Sequence, residues 1–246
     1  MKKIKGQKGL SLVEVTIMLL VLMLLTSVLA PSMWDFIHDA QWVKVKEDCE
    51  AIGISFTRMT RDIGPCLRFT NASACNLAGR VDVLISTGLT ATVNTTSGYA
   101  ENFSGYTVAM TTTNWNDTSN RDTMENQFVR NTPAYKTPFG NYNPGDVPVG
   151  PLFGLGWRGA YLAPPIGPDP WGTAYYVNSG FNAVATDATG TGEGSPDWWW
   201  ERDVICITAG PNQTLDSPIA GTGTGNSAGT YRHKDDFVFV ISGSGK

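Results

Sequence analysis

The chain has 246 residues, of which 41 % are hydrophobic and 16 % charged, and a net charge of −4. That length accommodates one globular domain with a sizeable core and one further segment. The acidic balance excludes nucleic-acid binding through a basic surface.

The N-terminus is the most informative part. Residues 1–9 read MKKIKGQKG, a basic leader without an acid. Residues 10–30 follow as LSLVEVTIMLLVLMLLTSVLA, 21 residues with one charge, Glu14, and Pro31 comes next. About 20 apolar helical residues cross a hydrocarbon core of about 30 Å, so this segment is long enough to span a bilayer. A charge at mid-depth costs roughly 2.5–3.5 kcal/mol, so Glu14 is expected to protonate or to find a cation. The lysines before the span predict that the leader stays on the cytoplasmic side and the rest of the chain lies across the inner membrane. Removing the leader, with Lys2, Lys3, Lys5 and Lys8, would leave 237 residues and take the net charge from −4 to −8.

The Gly9–Leu10 junction, with glutamate as the fifth residue beyond it and Pro31 at the foot of the span, resembles the class III leader of type IV pilins and pseudopilins. The resemblance implies cleavage between Gly9 and Leu10 by prepilin peptidase, with methylation of the new terminal amine. It also implies that Glu14 pairs with the terminal amine of a neighbouring subunit during filament assembly. Leu10 stands where the family usually has phenylalanine. The alternative is an ordinary signal anchor with a stray glutamate. A cleavable secretory signal differs in having a shorter apolar core before its cut site.

Beyond Pro31 the helix is expected to continue to about residue 63. Trp34, Ile37, Val45, Cys49, Ile52, Phe56, Met59 and Ile63 recur at helical spacing, with only Gln41 breaking the stripe. Asp35, Lys44, Lys46, Glu47, Glu50 and Arg61 fall on the other face, and Gly64-Pro65 ends the pattern. The result is one helix of about 50 residues, roughly 75–80 Å long. Residues 10–30 form its transmembrane half and 31–63 its amphipathic half, with a kink expected at Pro31.

The fold class is therefore α+β: a long N-terminal helix packed on a C-terminal antiparallel sheet within a head spanning 64–246. Val81–Ile85, Ala174–Val177, Asp203–Thr208 and Phe237–Ser242 read as strands. Residues from about 88 to 150 are rich in Thr, Asn, Ser and Gly and read as a loop-rich insertion with a few strands. The four cysteines, Cys49, Cys66, Cys75 and Cys206, agree with an oxidising compartment. Cys66 and Cys75 lie close in sequence across a polar loop and pair first, leaving Cys49 with Cys206; four buried thiols are the alternative. Three adjacent tryptophans, Trp198, Trp199 and Trp200, cannot all face one core. They are either a contact surface or a cover for the sheet.

No catalytic constellation is legible. His38 and His233 stand in no serine, cysteine or metal motif, and neither a P-loop nor a G-x-S-x-G is present. A non-enzymatic chain is expected.

Gly156-Trp157-Arg158-Gly159-Ala160-Tyr161-Leu162 and Asp169-Pro170-Trp171-Gly172-Thr173-Ala174-Tyr175-Tyr176 resemble the GWxGPYL…DPWGxPY signature of the major pseudopilin of type II secretion systems. Ala160 and Ala174 stand where proline is frequent. Ala209-Gly210-Pro211-Asn212, Asp216, Asp235 and Asp236, within a loop of about 209–236, are similar to that family's calcium loop, with Asn212 in place of a frequent aspartate. The resemblance implies calcium on Asp216, Asp235 and Asp236 with backbone carbonyls nearby. It also implies self-assembly into a helical filament, with an inner-membrane assembly platform and minor pilins or pseudopilins as partners. A surface type IV pilin, or a membrane-anchored binding protein using the tryptophans, are the competing readings.

Overall fold

A computed structural model of the chain describes residues 11–64, 67, 81–93, 115, 121–132, 142, 156–162, 166–179, 204–217 and 235–242. Gly9, Leu10, Cys66, Cys75 and Trp198–Trp200 lie outside these residues. The chain divides into two compact units, one ending at Lys44 and one beginning at Val45.

Helix α1 spans Leu12–Ile63, 52 residues with Pro31 in its interior. Ser11 caps it: its hydroxyl accepts the Glu14 amide at 3.2 Å, satisfying one of the orphan donors of the first turn. Gly64 ends it with φ 98°, a left-handed conformation that costs glycine little. Within the first unit the large apolar side chains from Leu12 to Ile37 are exposed, from 42 % at Val15 to 81 % at Leu12. The hydroxyls of Thr16, Thr26, Ser27 and Ser32 donate back to carbonyls of the preceding turn, so the helix satisfies them internally. α1 is thus one helix long and apolar enough to cross a membrane.

In the second unit Val45, Cys49, Ile52, Phe56, Met59 and Ile63 are buried. The expected stripe is correct from Val45 onward. Trp34 and Ile37 depart from it: they belong to the first unit and are exposed at 73 % and 43 %.

The head sheet has five strands: β1 (Val83–Ile85), β3 (Arg121–Thr123), β4 (Tyr176–Val177), β5 (Val204–Thr208) and β7 (Phe237–Ser242). Their spatial order is β3-β1-β4-β5-β7. The expectation of an antiparallel sheet needs correcting. β1, β4, β5 and β7 pair antiparallel, but β3 runs parallel to β1, with Leu84 opposite Asp122, so the sheet is mixed. A smaller parallel pair joins β2 (Thr92–Val93) to β6 (Thr214–Leu215). Every residue of β5 is buried, as a strand flanked on both sides and covered on both faces requires.

The residues between 88 and 150 contribute β2, β3 and a π-helix over Glu125–Arg130. β3 is polar, Arg-Asp-Thr, and its stability comes from hydrogen bonds. Buried Asp122 accepts from the Thr123 amide at 2.7 Å, Asn126 Nδ2 at 2.9 Å and Gln127 Nε2 at 2.6 Å. Gln127 Oε1 in turn accepts the Tyr142 hydroxyl at 2.6 Å.

Candidate functional site

Glu14 lies in the first turn of α1. A carboxylate there faces the partial positive charge of the helix N-terminus. Ser11-Leu12-Val13-Glu14 also has the spacing of a capping box, in which glutamate or glutamine serves equally. Its neighbours Val13 and Ile17 are exposed, so the acid stands in an apolar surface that this chain leaves uncovered. Pro31 lies within continuous helix rather than at a break.

The two tryptophan motifs are built into the head. Gly156 takes φ 81° and donates its amide to the Asp62 carbonyl at 3.1 Å, against the last turn of α1. Tyr161 donates its hydroxyl to Asp62 Oδ2 at 3.0 Å and accepts the Arg158 amide at 3.0 Å. Burial pushes the Tyr161 phenol up, and the Asp62 carboxylate adds to this. The Tyr161 carbonyl accepts the Ser55 hydroxyl at 2.9 Å, and its amide donates to Phe128 at 2.8 Å. Residues 156–162 therefore fasten the end of α1 to the π-helix.

Asp169 organises the second motif. It is 3 % exposed, and its Oδ1 accepts the amides of Trp171 at 3.0 Å and Thr173 at 2.8 Å. Its Oδ2 accepts the hydroxyls of Thr173 and, from β5, Thr208. Gly172 closes the turn with φ 95°. Tyr175 donates its hydroxyl to Asp48 of α1 at 2.9 Å; burial pushes that phenol up, and the Asp48 carboxylate pushes it further.

The acidic loop residues come together from separate segments. A short 3-10 turn, Gly210–Asn212, precedes β6 and approaches Asp235 so closely that a Cβ at Gly210 would collide with the Asp235 carbonyl. Asn212 donates its backbone amide to Asp235 Oδ2 at 2.9 Å. Its Nδ2 donates to Asp235 Oδ1 at 2.5 Å and to Asp216 Oδ2 at 3.3 Å. Two carboxylates thus converge on one carboxamide.

Asp236 is turned elsewhere. Its Oδ2 accepts the amides of Asp216 at 2.9 Å and Ser217 at 2.6 Å. Its Oδ1 is buried without a hydrogen-bond partner. Burial raises its carboxyl from 3.8 to about 6, against the lowering effect of the Ser217 and Asp216 hydrogen bonds. Asp216 and Asp236 are fully buried rather than solvated. Among the described residues no group of three or more His, Cys, Asp or Glu is arranged to hold a metal ion. The oxygen donors are of the kind a hard cation takes: Asp216 and Asp235 face one neutral carboxamide, Asn212, and Asp236 keeps one oxygen without a partner.

Cys49 on α1 and Cys206 on β5 are in contact as thiols, sulfur to sulfur 3.3 Å. Sequence reasoning missed the roles of Asp62, Asp122 and Asp169. For Asp169 a signal was present, since aspartate before proline, with glycine two residues further on, is turn chemistry in which the side chain bonds its own backbone.

Compared with known proteins, the chain matches no family model, no curated protein and no solved structure.

Proposed function

We propose that the chain is a structural, non-enzymatic subunit of a type IV pilin-like filament, and specifically the major pseudopilin of a type II secretion system. The observation that carries this reading is the first half of α1. Its apolar residues from Leu12 to Leu29 are exposed with Glu14 among them. An apolar rod of this length requires cover, either from lipid or from like helices of other copies. Before assembly it anchors the chain in the inner membrane with the head outside. After prepilin peptidase cuts at Gly9–Leu10, the new amine of one subunit meets Glu14 of the next, and only one axial stagger pairs the charges. The assembly platform extracts each subunit, and minor pseudopilins cap the filament.

Glu14→Gln tests this. Glutamine keeps the capping geometry and removes the charge. Filament formation in cells, scored by shearing and by cross-linking of adjacent subunits, is expected to be lost while membrane insertion persists. Assembly at the normal level would refute the pairing role.

The motifs at 156–162 and 169–176 favour the secretion system over a surface pilus. The long stretch from 88 to 150 favours the pilus, because pseudopilin heads are usually smaller. Deletion decides between them: loss of secreted proteins without loss of long fibres selects secretion. Calcium belongs to the same reading. Asp216 and Asp235, with Asp236 and a carbonyl of Leu215 or Pro218, would hold it and fix the loop that carries them.

A further inference from the structure

We propose that Cys49 and Cys206 close into a structural disulfide during folding, stapling α1 to the central region of the head sheet. Cys49 belongs to the buried stripe of α1, and Cys206 is the middle residue of β5, opposite Val177 on one neighbour and Phe239 on the other. Their sulfurs are 3.3 Å apart, and both residues are fully buried. Closing that contact to the roughly 2.05 Å of a disulfide requires about 1.2 Å of travel, shared between two side-chain rotations. With this pair in contact, the two remaining cysteines of the chain are Cys66 and Cys75.

The oxidant is a disulfide, either of a protein or of a small molecule such as oxidised glutathione. One cysteine loses its proton and attacks a sulfur of the oxidant. The oxidant S–S bond breaks, a mixed disulfide forms, and one oxidant thiolate leaves and is protonated. The second cysteine loses its proton and attacks the protein sulfur of the mixed disulfide. The Cys49–Cys206 bond forms, the second oxidant thiolate leaves with a proton, and two electrons have passed to the oxidant.

Timing follows from burial. In the folded head neither sulfur is accessible, and burial, reinforced by the Cys49 sulfur, holds the Cys206 thiol well above its usual range. The attacking species is the thiolate, so the folded reduced protein resists exchange. The bond must form before α1 settles on the sheet. Once made, it fastens α1, the element that also carries the apolar rod, to β5 by a covalent bond. The geometry stands without the filament reading; formation in the cell rests on that reading's placement of the head in an oxidising compartment.

The test uses the full chain in detergent with Cys66→Ala and Cys75→Ala, so that only one disulfide can form. The reduced, unfolded chain is refolded with and without oxidised glutathione, and remaining thiols are alkylated in denaturant. Refolding with the oxidant is expected to leave no alkylatable thiol until a reductant is added. Adding the oxidant after folding is expected to leave both thiols free. The crosslink spans 157 positions, and the oxidised form is expected to melt higher by on the order of 10 °C. Two free thiols after oxidative refolding, or equal melting of the two forms, would overturn the proposal. Should that variant not fold, non-reducing peptide mapping of the wild-type chain decides: a Cys49–Cys206 peptide supports the proposal, and any other partner for Cys49 sinks it. A crosslink that forms in the tube while thiols trapped directly from cells are free would leave the pair intact and count against the export of the head.

Discussion

Removing the Asp169 carboxylate is expected to be among the most damaging single changes to the head. Four donors converge on it: the amides of Trp171 and Thr173 and the hydroxyls of Thr173 and Thr208. Thr173 and Thr208 are at most 1 % exposed, so no water replaces the lost acceptor at either. Hydrogen bonds to a charged group contribute about 1.5–3 kcal/mol each, and a buried donor left unpaired costs about 1–3 kcal/mol. The four values do not add, because each hydroxyl can rotate toward another acceptor whereas the Thr173 amide cannot. Asp169→Ala should therefore cost about 3–5 kcal/mol, a large fraction of the roughly 5–15 kcal/mol that stabilises a typical domain. Asp169→Asn keeps an oxygen for the two amides and turns its NH2 toward two hydroxyls that can reverse and accept. Its cost should be about 1–2 kcal/mol. The assay is urea unfolding of the full chain in detergent, followed by tryptophan fluorescence, to which Trp171 in the same turn contributes. An alanine variant within about 1 kcal/mol of wild type, or an asparagine variant as damaged as the alanine one, would refute the role of Asp169 as hub.

Three further outcomes can be checked on the same material. Asp236 has its carboxyl raised from 3.8 to about 6, so folding favours its protonated form; the contribution is fully present below pH 4 and is lost as pH rises through 6. Unfolding midpoints measured from pH 4 to 7 should show wild type losing about 2–3 kcal/mol relative to Asp236→Asn, and parallel curves would disprove it. Gly210→Ala should cost about 3 kcal/mol, because it combines a φ of 65° with a collision against the Asp235 carbonyl. Gly172→Ala, where a Cβ meets nothing, should cost only the backbone strain of about 1–2 kcal/mol, and equal losses at the two glycines would remove the collision from the explanation. Millimolar calcium should raise the melting temperature of the full chain and a chelator should lower it, while Asp235→Ala should abolish the response; an unchanged wild-type melt counts against the cation.

Long, periodic features were legible in the sequence and short polar ones were not. The stripe from Val45 to Ile63 reads directly because six apolar residues at helical spacing have few other ways to be buried together. The stripe was extended too far, to Trp34 and Ile37, because periodicity reports a helical face and not where its cover ends. Phe237–Ser242 matched to the residue, helped by alternation and a run of β-branched and aromatic side chains. β3 could not be found this way. Arg-Asp-Thr carries no strand propensity, and its parallel partner lies almost 40 positions earlier.

The structural roles of the buried acids were not legible for a related reason. Asp169 lies between two prolines, and Asp122 and Asp236 lie in or at the end of polar, charged runs, which is the ordinary composition of solvated loops. All three are buried, and each accepts at least one backbone amide. The sheet they serve is built of strands two to six residues long, too short to specify their own register through a hydrophobic pattern. Asp169 ties the turn before β4 to β5, and Asp236, just before β7, holds the chain leaving β6. Asp122 joins β3 to the π-helix. Carboxylates within or beside the short strands thus help to hold register in this head, and removing such an acceptor should disturb the pairing of two elements at once. The Asp169→Ala and Asp169→Asn variants separate that idea from a purely apolar account: asparagine keeps the acceptor and should keep the pairing of β4 with β5, whereas alanine should loosen it.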